Sequence, residues 1–378
     1  MKKSLIAFVL LISAFAVSCK KDAVEKAVAP TGINTIKHAK GLEIYRHDGY
    51  SIVKVTAPWP DAKESFTYVL HKQGAALPDS LKNYTAVQVP IKTIAVTSTT
   101  HIPSLEALGA EKTLVAFPNT KYVSSLKTRA LIDSGKVKEI GTNESINIEM
   151  MIDIAPDAMV AHSISSDNKT FNDLMQSGIK VLYNGDWTEQ TPLGKAEWIK
   201  FFGALYDKND EAEAIFNKIE QDYDEAKKLA QNAPKRPTVL CGAMYQDHWY
   251  LPQGNSWAGY FLNDAHSQYL WADSKGTGSL NLSFETVFEK AKDADFWIGP
   301  SEYTTFAEME KGNPHYAEFK AFKNKNVYSW SSKKGPTGGL IYYELAPNRP
   351  DLVLKDLVKI FHPELLPNHT LQFFDKLK

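Results

Sequence analysis

Three histidines, His101, His162 and His248, stand in short polar stretches rich in Trp, Tyr, Ser and Thr. Each can offer a ring nitrogen to a metal or a hydrogen-bond partner. The intervals between them match no compact metal site; direct ligation of a metal stays open for His162 and His248, and capping of the helix that follows Thr100 for His101. Ser256 lies in Gly254-Asn255-Ser256-Trp257-Ala258, close to the turn that presents the nucleophile of α/β hydrolases. There the closing glycine is displaced to Gly259 and no clean strand precedes the serine. Two glutamates, Glu149 and Glu285, each open a short amphipathic helix that turns through Asp-Ala into a strand. Asp157 and Asp293 repeat at the same spacing as the glutamates. The two cysteines, Cys19 and Cys241, exclude a disulfide framework and a thiolate metal cluster. Cys241 falls in an apolar strand, as a buried and inert thiol would. No phosphate-loop, dinucleotide-binding or H-E-x-x-H pattern occurs.

Those residues need a scaffold of some size. The chain has 378 residues, more than one hydrophobic core usually serves, and the default is two domains. An apolar fraction of 43% describes a folded protein. A net charge of −1 leaves no basic excess to neutralise phosphates, which argues against nucleic acid as the partner. Met1-Lys2-Lys3 and the apolar run that follows, too short to span a bilayer, end in Ala16-Val17-Ser18-Cys19. This resembles a bacterial lipoprotein signal, with residues 1–18 removed and Cys19 lipidated; ordinary secretory cleavage is the alternative. Residues 19–40 read as a polar tether.

Residues 41–90 alternate in short strand-like pieces around the hairpin turn Asp48-Gly49, a small N-terminal β extension. From Ile91 onward buried-type strands alternate with helices: strands at 93–96, 113–117, 158–161 and 180–183, helices at 103–108, 168–177 and 198–205. That rhythm implies an α/β lobe with a mostly parallel sheet over 91–207. The stretch 208–233 lacks Gly and Pro, and Ala212, Ile215, Phe216, Ile219, Tyr223, Ala226, Leu229 and Ala230 make one apolar stripe on a helix. Acidic residues crowd its start and Lys227 and Lys228 its end, as the helix dipole favours. Strands then resume at 238–241, 296–298 and 326–328, with a closing helix at 352–361. The expected fold is therefore two α/β lobes, 91–207 and 234–378, joined by one long rigid helix. A long surface helix on a single large domain is the competing reading.

The motifs Asn147-Ile148-Glu149, Ile154-Ala155-Pro156-Asp157-Ala158-Met159-Val160 and Ser283-Phe284-Glu285, with the segment 349–357, carry a family resemblance. From about Ile91 to its end the chain resembles the helical-backbone (class III) substrate-binding proteins of ABC importers, the group of ferric-siderophore, haem and cobalamin binders. The resemblance implies a monomer that performs no chemistry and needs no cofactor. It captures a small-molecule metal chelate and delivers it to a permease dimer with its ATPase. It also implies that Glu149 and Glu285, one at the tip of each lobe, dock onto the permease, where charge pairs steer and register; capping a helix start is the alternative role. The ligand would sit between the lobes, against loops that follow strand ends. Thr99, Thr100, His101, Tyr122, His162 and Trp187 are the candidates from the first lobe. Tyr245, His248, Trp249, Trp257 and Tyr303 are those from the second, with Arg349 for an anionic complex. Aromatics suit a bulky chelate or macrocycle, although Trp249, Trp257 and Trp271 would equally cover a core. A lipid-anchored α/β hydrolase using Ser256, a bare zinc or manganese binder and a scaffold or adhesion lipoprotein are the competing functions.

Overall fold

The hairpin of β1 (Leu42–His47) and β2 (Tyr50–Val55) is set by Asp48-Gly49, with Gly49 at φ +78° and His47 opposite Tyr50. In the computed structural model, which describes residues 32–378, β3 (Phe66–Lys72) continues this sheet antiparallel. β4 (Thr85–Val89), absent from the expected strands, lies parallel to β3. Cys19, the signal segment and the first part of the tether lie outside the described residues. The expected tether does not extend to residue 40. Buried Glu197 accepts the backbone N–H groups of Lys37, His38 and Ala39, and buried Glu189 accepts those of Lys40 and Gly41. A buried carboxylate must be paired, and here the chain entering the fold supplies the donors. Burial alone would raise the Glu197 carboxyl; Lys200 and the three N–H groups bring it below its ordinary pKa.

The first lobe runs β5 (Ile94–Val96), α1 (His101–Ala107), β6 (Leu114–Phe117), α2 (Leu126–Asp133), β7 (Lys138–Glu139), the small hairpin β8 and β9 (Gly141–Thr142, Ser145–Ile146), α3 (Ile148–Ile154), β10 (Ala158–Ala161), α4 (Lys169–Gln176) and β11 (Val181–Tyr183). α5 (Pro192–Ala196) and α6 (Ile199–Leu205) lead into α7 (Asn209–Ala230). The sheet order is β11-β10-β5-β6-β7, all parallel. β5, β10 and β11 are buried throughout, as parallel strands covered on both faces must be. The 22 residues of α7 span roughly 33 Å. Its stripe of Ala212, Phe216, Ile219, Tyr223, Ala226 and Ala230 is buried, packing mainly on α6 and on the second lobe's closing helix Pro350–Phe361.

The second lobe runs β12 (Thr238–Cys241), β13 (Ala243–Tyr245), β14 (His248–Pro252), α8 (Trp257–Asp264), β15 (Gln268–Tyr269), β16 (Ser279–Leu282), α9 (Phe284–Ala291), β17 (Phe296–Ile298), α10 (Phe306–Gly312), α11 (Lys320–Lys323), β18 (Val327–Ser329), α12 (Ile341–Leu345), α13 (Pro350–Phe361) and β19 (Asp375–Lys376). Its main sheet is β15-β12-β17-β18-β19, parallel except for β19, beside a three-stranded antiparallel sheet β13-β14-β16.

The internal repeat is real, with one correction. Asn147 and Ser283 cap α3 and α9 alike, accepting from the N–H of Met150 and Thr286. The structural partner of Asp157 is Asp295, two residues beyond Asp293, because α9 and the turn that follows it are each one residue longer than in the first lobe. Asp157 accepts the N–H of Thr93 while the Thr93 hydroxyl accepts the N–H of Asp157. Asp295 and Thr238 make the same reciprocal pair. Each clasp ties the start of the lobe's first strand to the strand beside it.

Candidate functional site

In both sheets the strand order reverses at one place, between β5 and β10 in the first lobe and between β12 and β17 in the second. Ligands of open α/β sheets bind outside the carboxyl ends of the strands at such a switch point. The loops leaving these four strands line two cavities. The first-lobe cavity, about 480 Å³, is bounded by Thr97, Ser98, Thr99, Asn119, Tyr122, Asn143 and His162, with Gly338 to Leu340 and Tyr343 across from them. The second-lobe cavity, about 630 Å³, is bounded by Cys241, Gly242, Gly299 and Ser301 at the strand ends and by a set of aromatics. These include Tyr245, Tyr250, Trp257, Trp330, Tyr342 and Tyr343. Tyr343 lines both, so the two halves meet at its ring. Together they are large enough to enclose a macrocycle or chelate.

Buried polar atoms without a hydrogen-bond partner cluster at the first lobe's strand ends: both ring nitrogens of His101, Nδ1 of His162, Oδ1 of Asn143, Nδ2 of Asn184 and Oδ1 of Asp186. Nε1 of Trp257 is another, on the second-lobe side. Such groups ordinarily find water or a ligand. Burial pushes His101 down to about 4 against the pull of Asp186, and lowers His162 in the same way, so both rings are neutral at pH 7. Lys195 is pushed down to about 8 by burial, with Asp186 and Glu189 opposing. Its ammonium donates to the carbonyls of Asp186 and Trp187 and lies 5.9 Å from the Trp257 ring centre. Cys241 is buried and its thiol is pushed well above the ordinary range.

Of the residues expected to bind ligand, Thr99, Tyr122, His162, Tyr245 and Trp257 line the cleft. Thr100 stands behind it, its carbonyl accepting from Asn348. Trp187 packs on His162 at 5.3 Å and donates its indole N–H to Ser163, a backing position. Tyr303 packs on Tyr316 outside the cavity lining. Four expectations are corrected. His101 is fully buried against Phe202, because it is already the first residue of α1 and faces the core. Trp249 is a core residue, stacked on Trp297 at 5.3 Å with its indole bonded to the Cys241 carbonyl. The alternation of β14 turns it inward and leaves His248, its neighbour, on the exposed face beside Tyr250 and outside the cavity. Arg349 does not reach the cleft either; it forms a bidentate pair with Asp351 at 2.9 and 2.7 Å. It lines a separate cavity of about 770 Å³ behind α12, facing Lys218, Ile219 and Asp222 of α7.

Asn143, Gly299, Trp330, Tyr342 and Tyr343 escaped the sequence reading. Gly299 and Trp330 each directly follow a strand, which was the available signal; nothing local marks the other three. Ser256 is an N-cap: its hydroxyl donates to the Gln253 carbonyl and accepts the N–H of Gly259, so both bonds go to backbone. Among the described residues no group of three or more His, Cys, Asp or Glu comes together as a metal site requires. Among the same residues no helix is long and apolar enough to cross a membrane. Glu149 and Glu285 are exposed, each in the first turn of its capped helix, and neither takes part in an ion pair among the described residues. The Glu285 carboxyl is held below its ordinary pKa by its own backbone N–H and by Ser283.

Residues 94–334 match the family model described as periplasmic binding protein. An uncharacterized lipoprotein of Methanocaldococcus jannaschii is 30% identical over 304 residues, 78% of this chain and 70% of the relative. A second uncharacterized lipoprotein of that organism is 26% identical over 92% of this chain and 88% of its own length. Among solved structures, a periplasmic haem-binding protein from Pseudomonas aeruginosa shares the fold at TM-score 0.56 and 18% identity, over 76% of this chain and 98% of that one. A possible iron-binding periplasmic solute-binding protein from Staphylococcus epidermidis does so at TM-score 0.56 and 18% identity, over 72% and 99%. Two lobes on one long helix, an internal repeat and a cleft at the paired switch points meet a family match over most of the chain: it belongs to the periplasmic binding protein family.

Proposed function

We propose that this protein is the substrate-binding lipoprotein of an ABC importer, capturing an iron chelate between its lobes and handing it to a permease dimer with its ATPase. A ferric siderophore is the first cargo to test, followed by haem and cobalamin. The observation that carries this reading is the pair of cavities meeting at Tyr343, built from the switch points of two sheets held on one helix. Thr99, Tyr122, His162, Tyr245 and Trp257 contact the cargo, and the protein carries out no reaction on it. The names of the solved neighbours, which include haem-, iron- and vitamin B12-binding proteins, support the choice of cargo class.

Glu149 and Glu285 are the docking contacts. Both are exposed carboxylates outside any ion pair among the described residues, on short capped helices repeated between the lobes, and α7 fixes the span between them. Cys19 is the lipid anchor that keeps the protein outside the cytoplasm at a membrane surface, in keeping with relatives named lipoproteins. The Glu149→Ala/Glu285→Ala double variant tests the docking role: uptake in cells is expected to be lost while ligand affinity of the purified protein is unchanged. Loss of affinity, or uptake at the normal rate, would refute the assignment.

A further inference from the structure

The walls of the interlobe cleft carry no charge. Neither cavity has an Asp, Glu, Lys or Arg in its lining, and His162 is neutral at pH 7. Of the cations nearby, Lys195 and Arg349 are engaged, while Lys121 and Lys334 are exposed and outside both linings. Lys195 is shared between the carbonyls of Asp186 and Trp187, and the charge of Asp186 lies close to it. Lys121 is exposed, with its ammonium 5.0 Å from the ring centre of Tyr122, and lies outside the cavity lining. Arg349 is paired with Asp351 behind α12. What the second-lobe half offers instead is aromatic surface, with Trp330 and Tyr342 stacked at 4.8 Å. The polar groups that face the ligand, the hydroxyls of Ser98 and Thr99 and the amides of Asn119 and Asn143, are uncharged donors and acceptors.

We infer that the cleft selects an electroneutral, ring-bearing or bulky chelate, in which the chelator's own anionic atoms cancel the metal's charge, and discriminates against polyanionic chelates. An anion entering such a cleft gives up its hydration and finds no opposite charge in return, and each further charge repeats that penalty. A neutral complex avoids the penalty and keeps the benefit of stacking and apolar burial. This inference rests on the cleft being a chelate site, and the test below separates the two.

Quenching of intrinsic tryptophan fluorescence in the full mature protein would be titrated with four probes. Two are electroneutral, a ferric trihydroxamate and cyanocobalamin; two are anionic, a trianionic ferric tricatecholate and haemin. At least one neutral probe is expected to bind on the order of a hundredfold more tightly than the tricatecholate. Tyr343→Lys places a cation where the two cavities meet, at a half-exposed position. That variant is expected to narrow the gap about tenfold or more, whereas a preference set by shape alone would not move. Tricatecholate binding as tight as the best neutral probe, or a gap unaltered by Tyr343→Lys, would overturn the charge inference while leaving the cleft as a chelate site. Binding of none of the four would overturn both.

Discussion

Replacing Glu344 with glutamine should reverse the sign of its stability effect between acid and neutral pH. Glu344 sits on α12 of the second lobe, is 4% exposed, and accepts the N–H groups of Ser124 and Ser125 in the first lobe at 2.6 and 2.8 Å. Burial raises its carboxyl from 4.5 to about 7; the two N–H groups oppose this, and the nearby Glu106 adds to it. Glu106 in turn accepts the hydroxyls of Ser125 and Thr128. The folded protein therefore holds this proton more tightly than the unfolded chain. Between about pH 4.5 and pH 7 the folded state binds more protons, so stability falls as pH rises through that window. The gap corresponds to about 3 kcal/mol, absent below pH 4.5 and fully felt above pH 7. Glutamine cannot ionise, but it offers one acceptor oxygen where two N–H groups point, which costs about 1 kcal/mol at every pH. The variant should be about 1 kcal/mol less stable than the parent at about pH 3.5, close to equal at about pH 5 and about 2 kcal/mol more stable at about pH 8. Urea unfolding followed by tryptophan fluorescence at unit pH steps measures both. Parallel stability curves for the two proteins would refute the reasoning.

Glu197→Ala strands the buried ammonium of Lys200 and three backbone N–H groups, and should cost about 3–5 kcal/mol. Residues 32–40 should then be trimmed by protease faster than in the parent; equal trimming and an unchanged unfolding midpoint would show that the clasp holds nothing. Gly299 stands at φ +65° with the Trp330 ring lying against its Cα, leaving no room for a Cβ. Gly299→Ala should displace Trp330 from Tyr342, alter the near-ultraviolet circular dichroism and weaken ligand binding about tenfold or more. Unaltered dichroism would mean that the ring has space elsewhere.

The sequence exposes those parts of the fold whose signals are local. α7 is visible because a long run without Gly or Pro carries one apolar stripe, and β10, β12 and β17 because their short apolar runs are buried on both faces. β13 and β14 were hidden by the polar turn Gln246-Asp247, which makes the stretch read as one loop, and their third partner β16 is distant in sequence. The site divides along the same line. Thr99 and His162 were legible as residues following strands. Trp249 and His248 were not, because the choice between core and surface depends on strand parity, and one step along β14 exchanges them. Arg349 reads as an anion receptor until Asp351, two residues on, is seen to take the Nε and one terminal nitrogen of its guanidinium. Tyr342 and Tyr343 lie on a five-residue helix positioned by the opposite lobe.

That last dependence bears on how the two lobes are held together. A stiff helix alone leaves two lobes free to pivot about its ends. Here the segment from Gly335 to Asn348 adds a second set of fasteners. Thr337 donates to the Lys121 carbonyl at 2.8 Å, and Asn348 joins the Thr100 carbonyl and the Ser104 hydroxyl at 2.8 and 2.7 Å. Gly335 and Gly339 lie against the backbone of Ser124 and Tyr122, with no room for a side chain at either. A pivot about α7 would have to break these contacts together with the two N–H bonds to Glu344. The same segment carries Gly338 to Tyr343, the part of the second lobe that faces the first-lobe cavity. The lobes and the mouth of the cleft are thus fixed by one strip of chain. A strip held this firmly presents the ligand with a wall already in place.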